Sequence, residues 1–378
     1  MNYSRFFSDD VPFFMRSPVR EIFRKVDLSA IYSFAGGYPS AETFPLDRMS
    51  ALSEVVVRKY GAKALQYGAT QGVPELREAI AARYGVSVSN VQITTSSQQG
   101  IDVCTRILVN PGDVILTTAP TYLGALQSFR SYRAEVCVGE APAGRKVKFF
   151  YVIPDFRNPS GETMTLAERE ALVERARRED FIILEDSPYR ELRYSGEQLP
   201  TIYSLAPERT LHLGSFSKIF APGLRLGWIL GPEELLEQIF VCKQALDLCP
   251  PVFDQYLAAE YLTSGELDRN LASTVELYRG KRDLLLSLLE KYMPEGVSWT
   301  RPVGGLFLFV TLPEGVDTVA MYDEALSAGV AYVAGSFFFV DGSHRNTMRL
   351  NFSFMDTARM EPGIELLSRI IKSAIWKK

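Results

Sequence analysis

Between residues 91 and 231 the chain alternates short apolar runs with longer amphipathic segments. The apolar runs are rich in Val, Ile, Leu and Phe without a polar residue at every second position, which indicates strands buried on both faces. They lie at residues 91–95, 113–118, 149–154, 181–186, 210–216 and 226–231. Helical patterns lie between them, and strands that alternate with helices predict an α/β fold with a mostly parallel central sheet.

Two of the helical patterns carry start signals. The segment "TLAEREALVERARRED" begins with Thr165 and Glu168 at the spacing of a capping box. The segment "PELREAIAARY" begins with Pro74, a residue that is favoured at the first helical position. We therefore expect a helix to start at each of these two points.

The C-terminal third has a different pattern. One long helical stretch runs from about residue 253 to 292, followed by strand-like runs, a helix near 318–328 and a final helix. The strand-like runs are "LFLFVTL", "VAYVAGSFF" and "TMRLNFSF". This order predicts a smaller α+β domain, joined by part of the N-terminal segment. The predicted division is an N-terminal segment at 1–45, a large domain at 46–285 and a small domain at 286–378.

Composition narrows the classes of protein that fit. The 378 residues are 47% hydrophobic and 23% charged with a net charge of −4, which fits a soluble globular protein and offers no basic surface for nucleic acid. No apolar run reaches the length of a membrane span, and the first residues lack the pattern of a secretory signal. The four cysteines are scattered and there are only two histidines, so we expect no metal site, free thiols and a cytoplasmic location.

Polar side chains follow the predicted strands at the places where ligands of open α/β sheets bind, beyond the carboxyl ends. Five consecutive strand ends lead into "SSQQG", "APTYLG", "DFRNPSG", "EDSPY" and "SFSK". Taken singly, most have a structural explanation, since serine caps a helix and Asn before Pro forms a turn. Glu185 and Asp186 are harder to explain, because a carboxylate at the end of an apolar strand needs a partner.

Taken together, these residues match the chemistry of pyridoxal 5′-phosphate (PLP). The aldehyde of PLP needs an amine, which Lys218 supplies, and the ring nitrogen needs an anion, which Asp186 supplies. The flat ring needs a stacking surface in Tyr122, and its hydroxylate needs donors in Asn158 and Tyr189. The phosphate needs N–H, hydroxyl and cationic partners, which are Ser97, Gln98, Ser215, Ser217 and Arg225.

Several blocks of the sequence resemble a known family. "SFSKIFAPGLRLGW", "NPSG", "EDSPY" and "SSQQGIDV" are similar to the signature blocks of the class I/II aminotransferases, which are fold-type I PLP enzymes. "FAGGYPSAETFP", "LQYGATQGVPELREAI", "GGLFLFVTLP" and "NTMRLNFS", in this order, are similar to the branch of kynurenine/2-aminoadipate aminotransferases. The resemblance covers nearly the whole chain. It implies a PLP-dependent transferase of fold type I, with a mostly parallel central sheet between helices and a smaller α+β domain.

The resemblance also implies roles for individual residues. Lys218 would hold PLP as a Schiff base and move the proton at the substrate Cα. Arg349 would bind the substrate α-carboxylate with its forked guanidinium, and Gly37 and Asn158 would lie beside the substrate. Tyr67 would reach the phosphate of the other subunit, which implies a homodimer with shared active sites. The reaction would move an amino group from an L-amino acid to a 2-oxo acid such as 2-oxoglutarate by a ping-pong mechanism.

The substrate class stays open. The N-terminal segment, a lid over the site in the resembled branch, contains Arg20 in an S-P-x-R context. We hypothesise that Arg20 binds the distal carboxylate of glutamate or 2-aminoadipate, although the composition of this segment also fits a solvated amphipathic helix. Tyr32, Tyr38 and Phe352 would equally admit aromatic or branched-chain amino acids.

Two other functions fit the same fold. A PLP-dependent lyase or decarboxylase needs the same cofactor site, because that site alone does not decide which bond at Cα breaks. A PLP-binding domain of a transcription regulator shares the fold but needs a winged-helix domain ahead of it, and the "AGG" block begins near residue 35, which leaves no room for one. Arg349 and the substrate-side blocks favour transamination.

Overall fold

The structure, a computed structural model, describes residues 1–17 and 30–376. Its strands are β1 (Tyr32–Ser33), β2 (Val91–Thr94), β3 (Val114–Thr117), β4 (Glu135–Val138), β5 (Val147–Val152), β6 (Ile182–Asp186), β7 (Thr210–Ser215), β8 (Gly227–Leu230), β9 (Ser298–Trp299), β10 (Phe307–Thr311), β11 (Val330–Ala331), β12 (Val333–Ala334) and β13 (Thr347–Asn351). Its α-helices are α1 (Leu46–Tyr60), α2 (Pro74–Tyr84), α3 (Ser96–Leu108), α4 (Leu123–Ser131), α5 (Leu166–Glu179), α6 (Ile202–Leu205), α7 (Glu233–Leu246), α8 (Val252–Thr263), α9 (Glu266–Tyr292), α10 (Tyr322–Ala328) and α11 (Thr357–Trp376).

The largest sheet within the described residues has seven strands in the order β2-β8-β7-β6-β5-β3-β4. Strands β4, β3, β5, β6 and β7 run parallel, and β8 is antiparallel to both β7 and β2. The strands predicted from the apolar runs are confirmed, and so is the mostly parallel α/β sheet. The edge strand β4 is not among the predicted strands, because its side chains are only half-buried and form no long apolar run.

The two faces of this sheet pack against different helices. In β5, Phe149 and Tyr151 belong to the core that includes side chains of α3 and α4, whereas Phe150 and Val152 pack with side chains of α5. Successive side chains of a strand point to opposite faces. Because both faces are covered, the strands read as continuous apolar runs in the sequence.

The two predicted helix starts are confirmed. The N–H of Glu168 donates to Thr165 Oγ1 (3.3 Å), and the N–H of Thr165 donates to Glu168 Oε2 (2.7 Å), which is a complete capping box before α5. Pro74 is the first residue of α2. Local chemistry therefore sets both starts.

The prediction of one helical stretch over 253–292 is wrong. Helix α8 ends at Thr263 and α9 begins at Glu266. Gly265 between them has a left-handed backbone with φ +73°, a conformation that glycine adopts without strain and that interrupts the helix.

The C-terminal part contains a smaller antiparallel sheet in the order β12-β13-β10-β9, and α9 packs against α11. Strand β1 pairs in parallel with β11, and the N–H of Asn351 donates to the Phe34 carbonyl (2.8 Å), so the chain before α1 is tied to the C-terminal strands. The predicted boundary at residue 285 lies inside α9, and the division into domains stays a prediction. None of the helices in the described part of the chain has the length and apolar character needed to cross a membrane.

Candidate active site

A cavity of about 960 Å³ lies at the carboxyl ends of the parallel strands. Its walls come from loops after β3, β5, β6 and β7, from the first turn of α3 and from β13. It brings together most of the predicted site residues: Gly37, Ser97, Gln98, Tyr122, Asn158, Asp186, Tyr189, Ser215, Ser217, Lys218, Arg225 and Arg349. Tyr67 is not on this wall, and Arg20 lies outside the described residues.

Asp186 is the last residue of β6 and is 2% exposed. Its Oδ2 accepts a hydrogen bond from the Tyr151 hydroxyl (2.7 Å), while its Oδ1 is buried and has no hydrogen-bond partner among the described residues. Burial raises the pKa of Asp186 to about 7, although the Tyr151 hydroxyl and the nearby His212 act to lower it. A buried carboxylate oxygen without a partner, on the wall of a cavity, suits a cationic N–H group.

The neighbouring Glu185 points to the opposite face of the sheet and has its own partners. Its carboxylate accepts from the N–H groups of Ile202 (3.1 Å) and Tyr203 (2.9 Å) and contacts His212 Nδ1 (3.0 Å). Burial by itself would raise the pKa of Glu185, but His212 and the two amides leave that pKa lowered. The alternation of the strand therefore separates a structural carboxylate from one that is open to the cavity.

Lys218 follows β7, and its Nζ donates to the carbonyl of Gly37 (2.7 Å). Burial, together with the positive charges of Arg349 and Arg225, lowers the pKa of Lys218 to about 8. An amine with a lowered pKa is more often neutral at physiological pH, and only the neutral amine acts as a nucleophile or a base.

Arg349 lies in β13 and is 4% exposed. Its Nη1 donates to Asn158 Oδ1 (2.8 Å) and its Nη2 to the Ala35 carbonyl (2.6 Å), while its Nε has no partner among the described residues. The guanidinium lies 4.2 Å from the ring centroid of Phe307 and 5.1 Å from that of Phe338. Burial lowers the pKa of Arg349 to about 10, so the group is still a cation, and its site suits an anionic ligand.

The first turn of α3 and the loop after Lys218 form the opposite end of the cavity. Arg225 Nη2 donates to Ser96 Oγ (2.7 Å), and the N–H of Ser217 donates to Ser215 Oγ (3.2 Å). A Cβ on Gly227 would lie only 2.7 Å from the backbone N of Ser97, so glycine is required where β8 passes this turn. Free N–H groups at a helix N-terminus, hydroxyls and an arginine together suit a phosphate.

Between the two ends lie the predicted aromatic and amide side chains. The Tyr122 hydroxyl donates to Gln98 Oε1 (3.1 Å), which fixes the tyrosine over the first turn of α3. Burial raises the pKa of Tyr189, while the nearby Asn158 side chain acts to lower it. Asn158 accepts from Arg349 and lies near Tyr189, which links the ring side of the cavity to its carboxylate side.

Several residues on or beside this wall were not predicted. Ser96 binds Arg225, Tyr151 binds Asp186, and Phe307 and Phe338 flank Arg349. Ser96 directly precedes the predicted Ser97 in the same polar block after a strand, so the sequence pattern could have indicated Ser96 as well. The two phenylalanines come from a distant part of the chain, and nothing in their local sequence indicates that they meet the cavity.

The N-terminal segment lies against α4 at the mouth of the cavity. Phe14, Met15 and Ser17 line it, and the Met15 carbonyl accepts from Gln127 Nε2 (3.1 Å). Asp10 forms an ion pair with Arg133 (2.8 Å). The side chain of Phe14 is nevertheless 60% exposed.

Comparisons with known proteins identify aminotransferases among the relatives of this chain. Residues 36–367 match the family described as aminotransferase class I and II. The chain is 41% identical to aromatic-amino-acid aminotransferase 1 of Thermococcus litoralis, over 100% of this chain and 96% of that protein. It is similar to the crystal structure of Pyrococcus horikoshii kynurenine aminotransferase in complex with PMP, KYN and KYA, with 41% identity, 98% of each chain covered and a TM-score of 0.94. The α-aminoadipate aminotransferase of Thermus thermophilus, complexed with N-(5′-phosphopyridoxyl)-L-leucine, has 32% identity, 100% of each chain covered and a TM-score of 0.94.

Proposed function

The chain belongs to the class I and II aminotransferases, PLP-dependent enzymes of fold type I, and on that premise we propose that it transfers the amino group of aromatic L-amino acids to 2-oxoglutarate. The predicted family, fold, cofactor and enzyme class are confirmed. One observation carries the proposed substrate class: the cavity wall includes the aromatic and aliphatic side chains of Phe14, Met15, Tyr38, Leu123 and Phe338.

The residues of the cavity fit PLP. When bound, PLP supplies an aldehyde that reacts with amines and a ring that accepts the electron pair released at the substrate Cα. Asp186 Oδ1 would pair with the ring nitrogen, and Tyr122, Asn158 and Tyr189 would hold the ring and its hydroxylate. The phosphate would be held by Ser97, Gln98, Ser215, Ser217 and Arg225. The unpartnered Asp186 Oδ1 supports this orientation, because it gives the ring nitrogen an otherwise unsatisfied anion.

Lys218 is proposed as the catalytic residue. Its amine would react with the aldehyde of PLP, leave when a substrate amine arrives, and then take the proton from the substrate Cα. The lowered pKa of Lys218 supports both steps, because the freed amine is a base near neutral pH. The same amine would return the proton to the carbon that carried the aldehyde of the cofactor, which is what a transaminase requires of it.

Arg349 is proposed to bind the substrate α-carboxylate, with the Gly37 backbone beside it. The position of Arg349 between Phe307 and Phe338 restricts the guanidinium, so a carboxylate bound there would hold Cα in one orientation. Amino donor and 2-oxo acid share this carboxylate and would use the same site in turn. The enzyme would then follow a ping-pong mechanism.

The substrate side chain would contact Phe14, Met15, Tyr38, Leu123 and Phe338. Among the described residues, the cations on the cavity wall are Lys218, Arg225 and Arg349, and each already has a proposed role. An aromatic side chain therefore fits this wall without a further charge. The relative from Thermococcus litoralis, named an aromatic-amino-acid aminotransferase, supports the same class.

The acidic co-substrate needs a cation that the described wall does not provide. We propose Arg20, from the residues outside the described part, as the partner of the distal carboxylate of 2-oxoglutarate, glutamate or 2-aminoadipate. An enzyme that alternates between aromatic and acidic substrates would use Arg20 in only one of its two half-reactions.

The active unit is proposed to be a homodimer in which Tyr67 completes the phosphate site of the partner. Tyr67 is 79% exposed and its neighbour Leu65 is 81% exposed. Leu246, on the cavity wall, and Leu248 are exposed as well. Exposed apolar side chains suit a subunit interface. The four free thiols suit a reducing cytoplasm.

A half-reaction experiment tests this function. The holoenzyme is mixed with single amino acids, and the absorption of the bound cofactor is followed as it changes to the amino form, while the 2-oxo acid is quantified. We expect tyrosine, phenylalanine and glutamate to convert the cofactor. Arg20→Ala should lower the rate at which glutamate converts the cofactor by about 10-fold or more, and it should leave the rate with phenylalanine unchanged. Release of CO₂ in place of a 2-oxo acid would indicate a decarboxylase, and no conversion with any donor would refute the proposal.

A further inference from the structure

Tyr151 contacts the carboxylate of Asp186 from beneath the cavity. Its hydroxyl donates to Asp186 Oδ2 at 2.7 Å, and both side chains are buried. The other oxygen, Oδ1, has no partner among the described residues. The hydrogen bond therefore distinguishes two oxygens that are chemically equivalent in a free carboxylate.

The sheet sets this contact. Tyr151 in β5 pairs in register with Leu184 of β6, and Asp186 lies two residues further along the same strand. Residues two apart on a strand share a face, so Tyr151 and Asp186 are diagonal neighbours on one face of the sheet. The tyrosine ring packs edge-on against Phe129, with 5.4 Å between ring centroids, and Tyr151 is 0% exposed. The hydroxyl is consequently held in place by packing on all sides.

We propose that Tyr151 is a positioning residue, whose hydroxyl holds Asp186 Oδ2 so that Oδ1 is presented as an anion to the ring nitrogen of PLP. This inference rests on the proposed role of Asp186 in cofactor binding. Tyr151 acts only through Asp186, because its hydroxyl is committed to that carboxylate.

The physical reason is the conflict between burial and charge. Removing a carboxylate from water favours its protonated form, and a protonated Asp186 would offer the ring nitrogen no anion. A phenol that donates to the carboxylate stabilises the charged form. The pKa of Asp186 follows this reasoning, because burial raises it and the Tyr151 hydrogen bond lowers it.

The test compares two cofactor forms that differ only at the ring nitrogen. The full chain is stripped of cofactor and titrated calorimetrically with pyridoxamine phosphate, and separately with its analogue in which CH replaces the ring nitrogen. We expect the wild type to bind the nitrogen-containing form at least about 10-fold more tightly. Tyr151→Phe should reduce that preference about 10-fold and leave the affinity for the CH analogue unchanged.

The matched control is Tyr332→Phe. Tyr332 is also 0% exposed and its hydroxyl donates to the Thr318 carbonyl (2.6 Å), but it lies outside the cavity wall. This variant should keep the full wild-type preference. If Tyr151→Phe does not fold, 3-fluorotyrosine at position 151 keeps the shape with a stronger donor, and the preference should then rise.

Failure of the proposed role of Tyr151 and failure of the proposed role of Asp186 give different results. A wild type that does not distinguish the two cofactor forms would refute the proposed pairing of Asp186 and with it the role of Tyr151. A wild-type preference that Tyr151→Phe retains would overturn the role of Tyr151 alone. An equal loss of affinity for both forms would show that Tyr151 only maintains the shape of the pocket, which also overturns the proposal.

Discussion

The inner wall and the rim of the cavity are built in opposite ways. On the inner wall, Asp186 is 2% exposed and Arg349 is 4% exposed, and both lie on strands. At the rim, Phe14 is 60% exposed; Tyr67, which lies outside the cavity wall, is 79% exposed, and neither residue lies in a strand or an α-helix. The charged groups Asp186 and Arg349, which must keep one orientation, lie on strands. Phe14 and Tyr67, which would contact the substrate or complete the phosphate site, are exposed side chains in irregular segments.

This difference predicts where substitutions will act. A buried charged group has no water to replace a lost partner, so a change there is severe. An exposed side chain at the rim keeps its hydration, so its loss affects affinity or selectivity by a smaller factor. Three substitutions test this contrast, from the inner wall outwards.

Lys218→Arg should have the largest effect. Arginine keeps the positive charge but has no amine that reacts with the aldehyde or takes a proton near neutral pH. We expect kcat to fall by about 10⁴-fold or more, measured by single-turnover kinetics. Lys59→Arg, on the surface beside Glu260, is the control and should keep wild-type activity. Borohydride reduction followed by peptide mass spectrometry should place the cofactor on Lys218 in the wild type, and its recovery on another lysine would contradict the assignment.

Arg349→Lys should have the second largest effect. Lysine cannot form the forked contact with a carboxylate, and the Asn158 Oδ1 and Ala35 carbonyl would each lose a charged donor. We expect kcat/KM to fall about 100-fold for aromatic and acidic donors alike, with cofactor affinity unchanged. Arg345→Lys, four residues earlier and ion-paired at the surface with Asp317, should behave like the wild type. A selective loss for one class of donor would show that Arg349 binds side chains rather than the α-carboxylate.

Tyr67→Phe should have the smallest effect. Loss of one exposed hydroxyl from a phosphate site should weaken PLP binding by about 3- to 10-fold, measured by equilibrium dialysis. Tyr3→Phe, another exposed tyrosine, should not change it.

A mixed dimer of Tyr67→Phe and Lys218→Ala subunits sharpens the same prediction. If Tyr67 acts across the interface, the site that retains Lys218 receives Tyr67 from the other subunit and regains wild-type PLP affinity. A mixed dimer whose one active site keeps the weakened affinity would place Tyr67 in its own subunit's site.

The inner wall could largely be predicted from the sequence. Polar side chains directly after buried apolar runs marked Asp186, Asn158 and Lys218, because the carboxyl ends of parallel strands meet at one edge of a sheet. Tyr151 could not be recognised in this way, since it looks like one more aromatic residue in a buried strand. Its relation to Asp186 depends on the register of β5 against β6, which local pattern does not reveal.

The helical break at Gly265 was missed for a related reason. Ser264-Gly265 is a pair of the kind that marks a turn, but a single glycine inside a helical pattern is also tolerated at some cost in stability. Only the packing of α8 and α9 as separate helices decides which occurs. The edge strand β4 contains two valines, which favour a strand, but at four half-buried residues it is too short to be recognised without its pairing with β3.

By itself, the sequence determined the order of strands and helices and the chemical groups that end each strand, because both depend on local periodicity and residue type. Tertiary structure alone decided which of two adjacent carboxylates is open to the cavity and which is bound by His212. It also brought Arg349, in the C-terminal sheet, to Asn158 in the loop after β5 of the large sheet, and placed Phe307 and Phe338 around it. These contacts join residues far apart in the chain, and only the packing of the two sheets fixes their distances.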